Sequence, residues 1–145
     1  MELSSRVEYA LLALLELATP YQKDSPLTVN EIAAFQEIPE RYLDQILNVL
    51  RRAGIVQSLR GAKGGYLLAK QPGQIYLLEV VVALEGDSSH KDQKVSESET
   101  IEKTVVRSIW LEVRHASLSV LEKYTLQDLC EQRDDRKQVN PMYYI

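Results

Sequence analysis

The sequence predicts a mainly α-helical protein with a small β-wing, in which a winged helix-turn-helix domain is followed by a long dimerisation helix. Three observations favour this fold class. Two short helices are predicted on either side of a tight turn at residues 37–39, and a glycine-rich hairpin follows them. In the second half, a stretch of about 25 residues repeats apolar side chains at helical spacing.

The first two helices are predicted from their composition and their ends. Residues 3–19 contain no Gly or Pro and are apolar nearly all round, which is typical of a buried central helix. Residues 20–27 carry two prolines and form a connector. Thr28 and Glu31 then make a capping box, which predicts a short helix that ends near Gln36.

The third helix is predicted over residues 40–53 and is closed by Gly54, a natural left-handed cap. Its apolar side chains define one buried stripe, made of Leu43, Ile46, Leu47 and Leu50. A second, polar stripe has Tyr42 beside its start and consists of Arg41, Gln45, Asn48 and Arg52. A polar face on the second of two closely joined helices is the outline of a helix-turn-helix.

The wing is predicted at residues 55–69. Strands over 55–59 and 66–69 flank the tip Arg-Gly-Ala-Lys-Gly-Gly, and four of the chain's six glycines lie between 54 and 65. A helix over 75–85 completes a domain that we expect to span residues 1–85.

The second half is predicted to contain a mobile loop at 86–99, a long helix at 100–124, a short helix at 125–132 and a polar tail at 133–145. The long helix spans roughly 37 Å, more than one small domain needs for its own core. We therefore expect a second copy to cover its apolar stripe and a homodimer to form. The candidate dimer contacts are Ile101, Val105, Ile109, Trp110, Val113 and Val120.

The net charge of −4 conceals a basic segment. Residues 45–70 contain five Lys and Arg and no Asp or Glu, while the regions on both sides are acidic. This segment is the end of the third helix plus the wing, where a DNA-binding domain needs positive charge to meet phosphates.

Several protein classes are excluded by what the sequence lacks. The single cysteine, Cys130, cannot form an intrachain disulfide or a four-cysteine zinc site, which favours a cytoplasmic protein. We expect it to be a buried small side chain. The apolar stretch at 9–18 is too short to span a bilayer and does not resemble a signal peptide. Because the known catalytic motifs are missing, we expect no enzyme activity.

The residues that carry these features resemble the Rrf2 family of bacterial transcription regulators. The resemblance lies in the start Met-Glu-Leu-Ser-Ser-Arg-Val-Glu-Tyr-Ala-Leu, in the helix segment Ile-Pro-Glu-Arg-Tyr-Leu-Asp-Gln-Ile-Leu from residue 38, and in the wing Arg-Gly-Ala-Lys-Gly-Gly-Tyr from residue 60. It implies a dimeric winged-helix regulator that binds double-stranded DNA.

The resemblance also implies which residues contact DNA. Arg41, Tyr42 and Gln45 would enter the major groove, where Gln suits adenine and Arg suits guanine. Arg60 would reach into the minor groove. The candidate phosphate and remaining contacts are Ser4, Ser5, Lys63, Thr28, Asn48, Arg52 and Gly64.

The chain departs from the iron-sulfur members of this family, which carry three cysteines in the loop before the long helix. A cluster here would have to combine Cys130 with His90, His115 or Glu8, so no cofactor or metal is expected. An iron-sulfur or redox sensor with non-cysteine ligands remains the alternative. A helical adaptor without DNA binding is a further alternative, although it leaves the basic segment unexplained.

The second half is similar to a cluster-free branch of the family that controls cysteine metabolism through a complex with cysteine synthase. That enzyme accepts C-terminal peptides ending in isoleucine. The resemblance therefore implies cysteine synthase as a partner, bound by a tail that includes Tyr143, Tyr144 and Ile145.

Overall fold

A computed structural model describes residues 3–19, 25–86 and 99–139 of the chain. The helices and strands, in chain order, are α1 Ser5–Leu17, α2 Val29–Gln36, α3 Glu40–Arg52, β1 Val56–Leu59, β2 Gly65–Leu68, a 3₁₀ turn Pro72–Gln74, α4 Leu77–Glu85, α5 Ile101–Lys123 and α6 Leu126–Val139. The predicted mainly α-helical fold with a small β-wing is confirmed.

Helices α1 and α2 begin at side-chain caps. The Ser4 hydroxyl accepts a hydrogen bond from the Val7 amide at 3.3 Å, and Thr28 accepts one from the Glu31 amide at 3.2 Å. The Thr28 hydroxyl also donates to the Glu31 carboxylate. Each cap satisfies an amide that has no partner inside its helix, which is why these helices start where they do.

The core lies between α1, α3 and α4. Ala10, Ala13 and Leu14 of α1 have no exposed surface, so neighbouring helices approach this helix closely. The predicted apolar stripe of α3 is buried as a whole, and this burial holds α3 against α1. Because the stripe turns inward, the polar stripe of the same helix must face outward.

The wing is an antiparallel pair in which Val56 faces Leu68 and Leu59 faces Gly65. Its β2 strand also pairs with Leu27, two residues before α2 begins. The Tyr66 amide donates to the Leu27 carbonyl at 2.7 Å, and the Leu27 amide donates back at 3.1 Å. These bonds attach the wing to the beginning of the helix-turn-helix.

The predicted end of the last helix at residue 132 is wrong. Helix α6 continues to Val139, since residues 126–139 contain no Gly or Pro. The Leu126 amide donates to the Ile75 carbonyl at 2.8 Å, and the Leu77 amide donates to the Tyr124 carbonyl at 3.0 Å. Leu126 and Cys130 are buried in the same core as α1 to α4.

Helix α5 packs along α4, yet within the described part of the chain none of its side chains is buried. Most of the predicted loop at 86–99 and the end of the tail, residues 87–98 and 140–145, lie outside the described residues. The domain boundaries stay a prediction. No helix among the described residues is long and apolar enough to cross a membrane.

Candidate nucleic-acid interface

The outward face of α3 carries the candidate base contacts. Arg41, Tyr42, Gln45 and Arg52 are exposed, and Asn48 is half-buried with its carbonyl oxygen 3.3 Å from Arg51 Nη2. These side chains project along the length of a helix whose other face is held in the core. A rigid helix that presents Arg and Gln in this way can place hydrogen-bonding groups against base edges.

Asp44 belongs to the same exposed face but was missed by the sequence reasoning. The signal was available, because position 44 lies three residues after Arg41 and four before Asn48, which puts all three on one side of a helix. A carboxylate accepts a hydrogen bond from the amino group of cytosine and repels phosphate. Asp44 can therefore favour one base while weakening nonspecific binding.

The tip of the wing is basic and closed by a tight turn. Arg60 and Lys63 are exposed, and the Gly64 amide donates to the Gly61 carbonyl at 2.9 Å. A Cβ at Gly64 would stand 2.5 Å from the Leu59 carbonyl oxygen. Gly64 therefore permits the turn that carries the two basic side chains.

Lys70 lies in the basic segment but forms an ion pair. Its ammonium group is 2.8 Å from both carboxylate oxygens of Glu79 on α4. This pair leaves Arg51, Arg52, Arg60 and Lys63 as the cationic groups of residues 45–70 without an acidic partner among the described contacts.

Ser4, Ser5 and Thr28 lie at the beginnings of helices. Ser4 and Thr28 serve as the caps of α1 and α2, and Ser5 is the exposed first residue of α1. Thr28 adjoins the wing, since a Cβ on Gly65 would be 3.1 Å from the Thr28 nitrogen. Helix beginnings carry partial positive charge, so phosphate contacts at these three positions are chemically reasonable.

The candidate dimer contacts form an exposed apolar stripe along α5. Ile101 is 80% exposed and Trp110 is 69% exposed, while Val105, Ile109 and Val120 are each more than half exposed. Val113 is half-buried.

The described residues do not fit an iron-sulfur cluster. Among them, no group of three or more His, Cys, Asp or Glu side chains is arranged to hold a metal ion. Cys130 is buried, and this burial raises the pKa of its thiol although the nearby Arg133 acts in the opposite direction. Glu8 and His115 are exposed on α1 and α5, and His90 lies outside the described residues.

A buried helix-turn-helix scaffold, an exposed Arg, Tyr and Gln face and a basic wing together define a winged-helix DNA-binding regulator of transcription. The Rrf2 family, described as an iron-dependent transcriptional regulator, matches residues 3–132. The chain belongs to the Rrf2 family.

Relatives and solved structures agree with this membership. The HTH-type transcriptional regulator CymR of Bacillus subtilis is 35% identical over 145 residues, which is the full length of both chains. The B. subtilis CymR structure superposes with a TM-score of 0.73 at 34% identity and covers 91% of this chain and 98% of that one. The T. potens IscR structure has a TM-score of 0.77 at 31% identity, with 94% and 90% covered. Proteins named CymR and IscR among the relatives are described as HTH-type transcriptional regulators.

Proposed function

We propose that the chain is a cytoplasmic homodimeric repressor that binds a pseudo-palindromic operator and controls genes of sulfur or cysteine metabolism. The observation that carries the proposal is the separation of two surfaces. An exposed polar face on α3 with a basic wing is available for DNA, and an exposed apolar stripe on α5 is available for a second copy.

In this proposal each copy places α3 in the major groove and the wing at the backbone. Arg41, Tyr42, Asp44 and Gln45 contact base edges, and Arg60 enters the minor groove. The remaining contacts bind or approach phosphate through Ser4, Ser5, Thr28, Asn48, Arg52, Lys63 and Gly64. Few cations of the basic segment lack an acidic partner among the described contacts, so binding depends strongly on each of them, and the salt dependence grows with the number of phosphates they neutralise.

The experiment is a selection of binding sites from random-sequence DNA by the purified full-length chain at stated salt. We expect a two-fold symmetric site, with half-sites about one helical turn apart. Gln45→Ala should then lose about 1 to 3 kcal/mol of discrimination at one base pair in each half-site. Asn30→Ala, an exposed amide side chain on α2, is the matched control.

A selected pool without a common sequence would remove the DNA-reading function. Unchanged discrimination in Gln45→Ala would remove only Gln45 from the set of base contacts.

The proposed regulon rests on similarity to one relative. The B. subtilis CymR structure is described as that of the global cysteine regulator of its organism, and its chain aligns with this one from end to end. We extend this similarity to the tail and propose that Tyr143, Tyr144 and Ile145 bind cysteine synthase. A peptide that ends in isoleucine offers both an apolar side chain and a carboxylate for such an interaction.

Deleting Tyr144 and Ile145 should abolish binding of purified cysteine synthase in a pull-down or in calorimetry. Met142→Leu, which keeps the last three residues, serves as the control and should bind as the parent does. Retained binding by the truncated chain would contradict the tail as the contact.

A further inference from the structure

Helix α3 begins without a side-chain cap, although it carries the proposed base contacts in its first turns. Its N-terminal cap position is Pro39, which forms no capping hydrogen bond through its side chain, whereas Ser4 and Thr28 cap the two preceding helices. Uncapped first turns fray more readily than the rest of a helix. Ile38 and Leu43 anchor this end of the helix in the core, so what an additional contact can fix is the orientation of the exposed Tyr42 side chain.

A tyrosine of α1 provides such a contact. The rings of Tyr9 and Tyr42 have centroids 6.2 Å apart and planes inclined by 77°, an edge-to-face arrangement. Tyr9 is half-buried and packs on the core, while the Tyr42 ring is 48% exposed. The Tyr42 ring therefore lies on the exposed side of α3 that is proposed to face DNA, and the Tyr9 ring that contacts it is packed against the core.

The same side of α1 also holds the end of α2. Glu16 lies two helical turns beyond Tyr9, and its carboxylate accepts a hydrogen bond from Gln36 Nε2 at 2.5 Å. Gln36 is the last residue of α2, and Tyr42 is in the first turn of α3. Tyr9 and Glu16 thus hold the two helices on either side of the turn that joins them.

The turn itself contains Glu37 in a left-handed conformation with φ of 53°. A non-glycine residue keeps this conformation only where its surroundings impose it. The Glu37 and Ile38 amides both donate to the Ala33 carbonyl, which closes α2 in this conformation, and the contacts from α1 hold Gln36 and Tyr42 on either side of the turn.

We propose that Tyr9 is a positioning residue for DNA reading, which holds the Tyr42 ring and with it the first turn of α3 in the orientation that meets base edges. This inference rests on the proposed function. Tyr9 acts through Tyr42 and has no phosphate contact of its own in this role.

The test compares Tyr9→Leu, Tyr9→Phe and Leu11→Ala in the full-length chain. Leu11 is also half-buried and packs on the core, but it lies two residues on and hence on the other side of α1. Each variant is measured for thermal stability and for affinity to the selected operator, to operators with single base-pair changes and to operator DNA at several salt concentrations.

Tyr9→Leu should reduce discrimination between operators about 2- to 10-fold, the range of one aromatic pair. Tyr9→Phe keeps the ring and should restore discrimination. Leu11→Ala should lower the melting temperature without changing discrimination. The salt slope should be the same in all variants, because no phosphate contact is lost.

In a Tyr42→Leu background, Tyr9→Leu should change discrimination no further. If Tyr9→Leu lowers discrimination as much in the Tyr42→Leu variant as in the parent, Tyr9 does not act through Tyr42 and the positioning role is overturned. The role is also overturned if Tyr42→Leu loses discrimination while Tyr9→Leu keeps it in full. A parent chain that selects no DNA sequence would instead overturn the DNA-reading function together with the role of Tyr9. The two failures are therefore distinguishable.

Discussion

The left-handed backbone of Glu37 in the helix-turn-helix is conformationally strained, which lowers the stability of the fold locally. Its left-handed backbone brings a Cβ close to its own carbonyl group, which glycine would avoid. The cost is offset because the turn brings α2 and α3 into contact around Ile32, Leu43 and Leu47, which are fully buried.

We expect Glu37→Gly to be about 1 kcal/mol more stable than Glu37→Ala, because both remove the charge but only glycine relieves the left-handed strain. Urea denaturation of the two variants measures the difference. Equal midpoints at equal slopes would show that position 37 is not strained.

Cys130 is a protected thiol. Burial in the core disfavours its thiolate and raises its pKa. Below the ordinary pKa of a cysteine the thiol is neutral in both the folded and the unfolded chain, so it does not make the free energy of unfolding depend on pH. As the pH rises above that value the unfolded chain releases the proton first, so the stability contributed by the neutral thiol decreases until the folded pKa is passed.

We therefore expect Cys130 to react slowly with iodoacetamide at neutral pH. We also expect the parent to lose more stability than Cys130→Ala between roughly pH 8 and pH 10, because a thiol in the unfolded chain ionises in this range. Labelling rates and urea midpoints across this range provide the measurement. Rapid labelling of the folded protein at neutral pH would instead revive the redox-sensing alternative.

The wing depends on one close backbone approach as well as on its strand pairing. Gly65 has a φ of 148°, and a Cβ there would lie 2.6 Å from the Leu27 carbonyl oxygen. Backbone cannot move aside as a flexible side chain can, so position 65 must remain glycine for the wing to stay attached.

Gly65→Ala should destabilise the protein by at least about 2 kcal/mol, since it combines a backbone clash with an unfavourable φ. Gly73→Ala is the matched control because its nearest neighbour is the Gln127 Cβ at 4.0 Å. Thermal unfolding of both variants tests the difference, and similar losses in the two would contradict the steric argument.

The cations of the basic segment should differ in their effect on DNA binding. Lys63→Ala should lower the slope of log affinity against log salt by about one per lost phosphate contact, hence by about two for a dimer that loses one contact in each half-site. Lys70→Ala should change the slope less, since the Lys70 ammonium is engaged by Glu79. A larger change in slope for Lys70→Ala than for Lys63→Ala would show that the ion pair opens on DNA.

The two halves of the chain are tied together by α6. Arg133 Nη1 donates to the Leu15 carbonyl at 3.1 Å and to the Thr19 hydroxyl at 3.4 Å, at the carboxyl end of α1. The Arg133 guanidinium complements the negative end of the α1 dipole, because the last turn of α1 itself contains no basic residue. The α6 helix that leads to the C-terminal tail is therefore packed on the DNA-binding half.

Helix α5 remains the surface through which the whole molecule should dimerise. We expect Ile109→Glu to convert the dimer to a monomer in sedimentation velocity and to weaken operator binding, because two half-sites are then no longer bound together. His115→Glu is the control, since His115 is exposed but lies roughly 240° further around the helix. A dimer that persists in Ile109→Glu would mean that another surface joins the copies.

Local signals were sufficient to predict the helix-turn-helix and the wing. These signals are the capping box at Thr28, the apolar stripe of α3 and the glycines of the hairpin. Each involves residues that are close in sequence, so it can be recognised without knowledge of the tertiary structure. The same signals predicted an exposed polar face on α3 and a basic wing tip, and the resemblance to the Rrf2 family pointed to Arg41, Tyr42, Gln45, Arg60 and Lys63 as the candidate contacts.

Contacts between distant segments could not be predicted in this way. The position of α6 depends on backbone bonds to Ile75 and Tyr124 and on Arg133 reaching a helix more than a hundred residues earlier. The pairing of Lys70 with Glu79 and of Tyr9 with Tyr42 likewise depends on how helices pack, which no short pattern encodes.

Patterns along the chain were enough to predict the class of fold, the polar face of α3 and the basic wing, because periodicity, caps and composition are local properties. Folding settles which cations of the basic segment meet a carboxylate, which ring contacts Tyr42 and where the last helix lies. Those outcomes depend on burial and on distances across the core, and both exist only once the chain has folded.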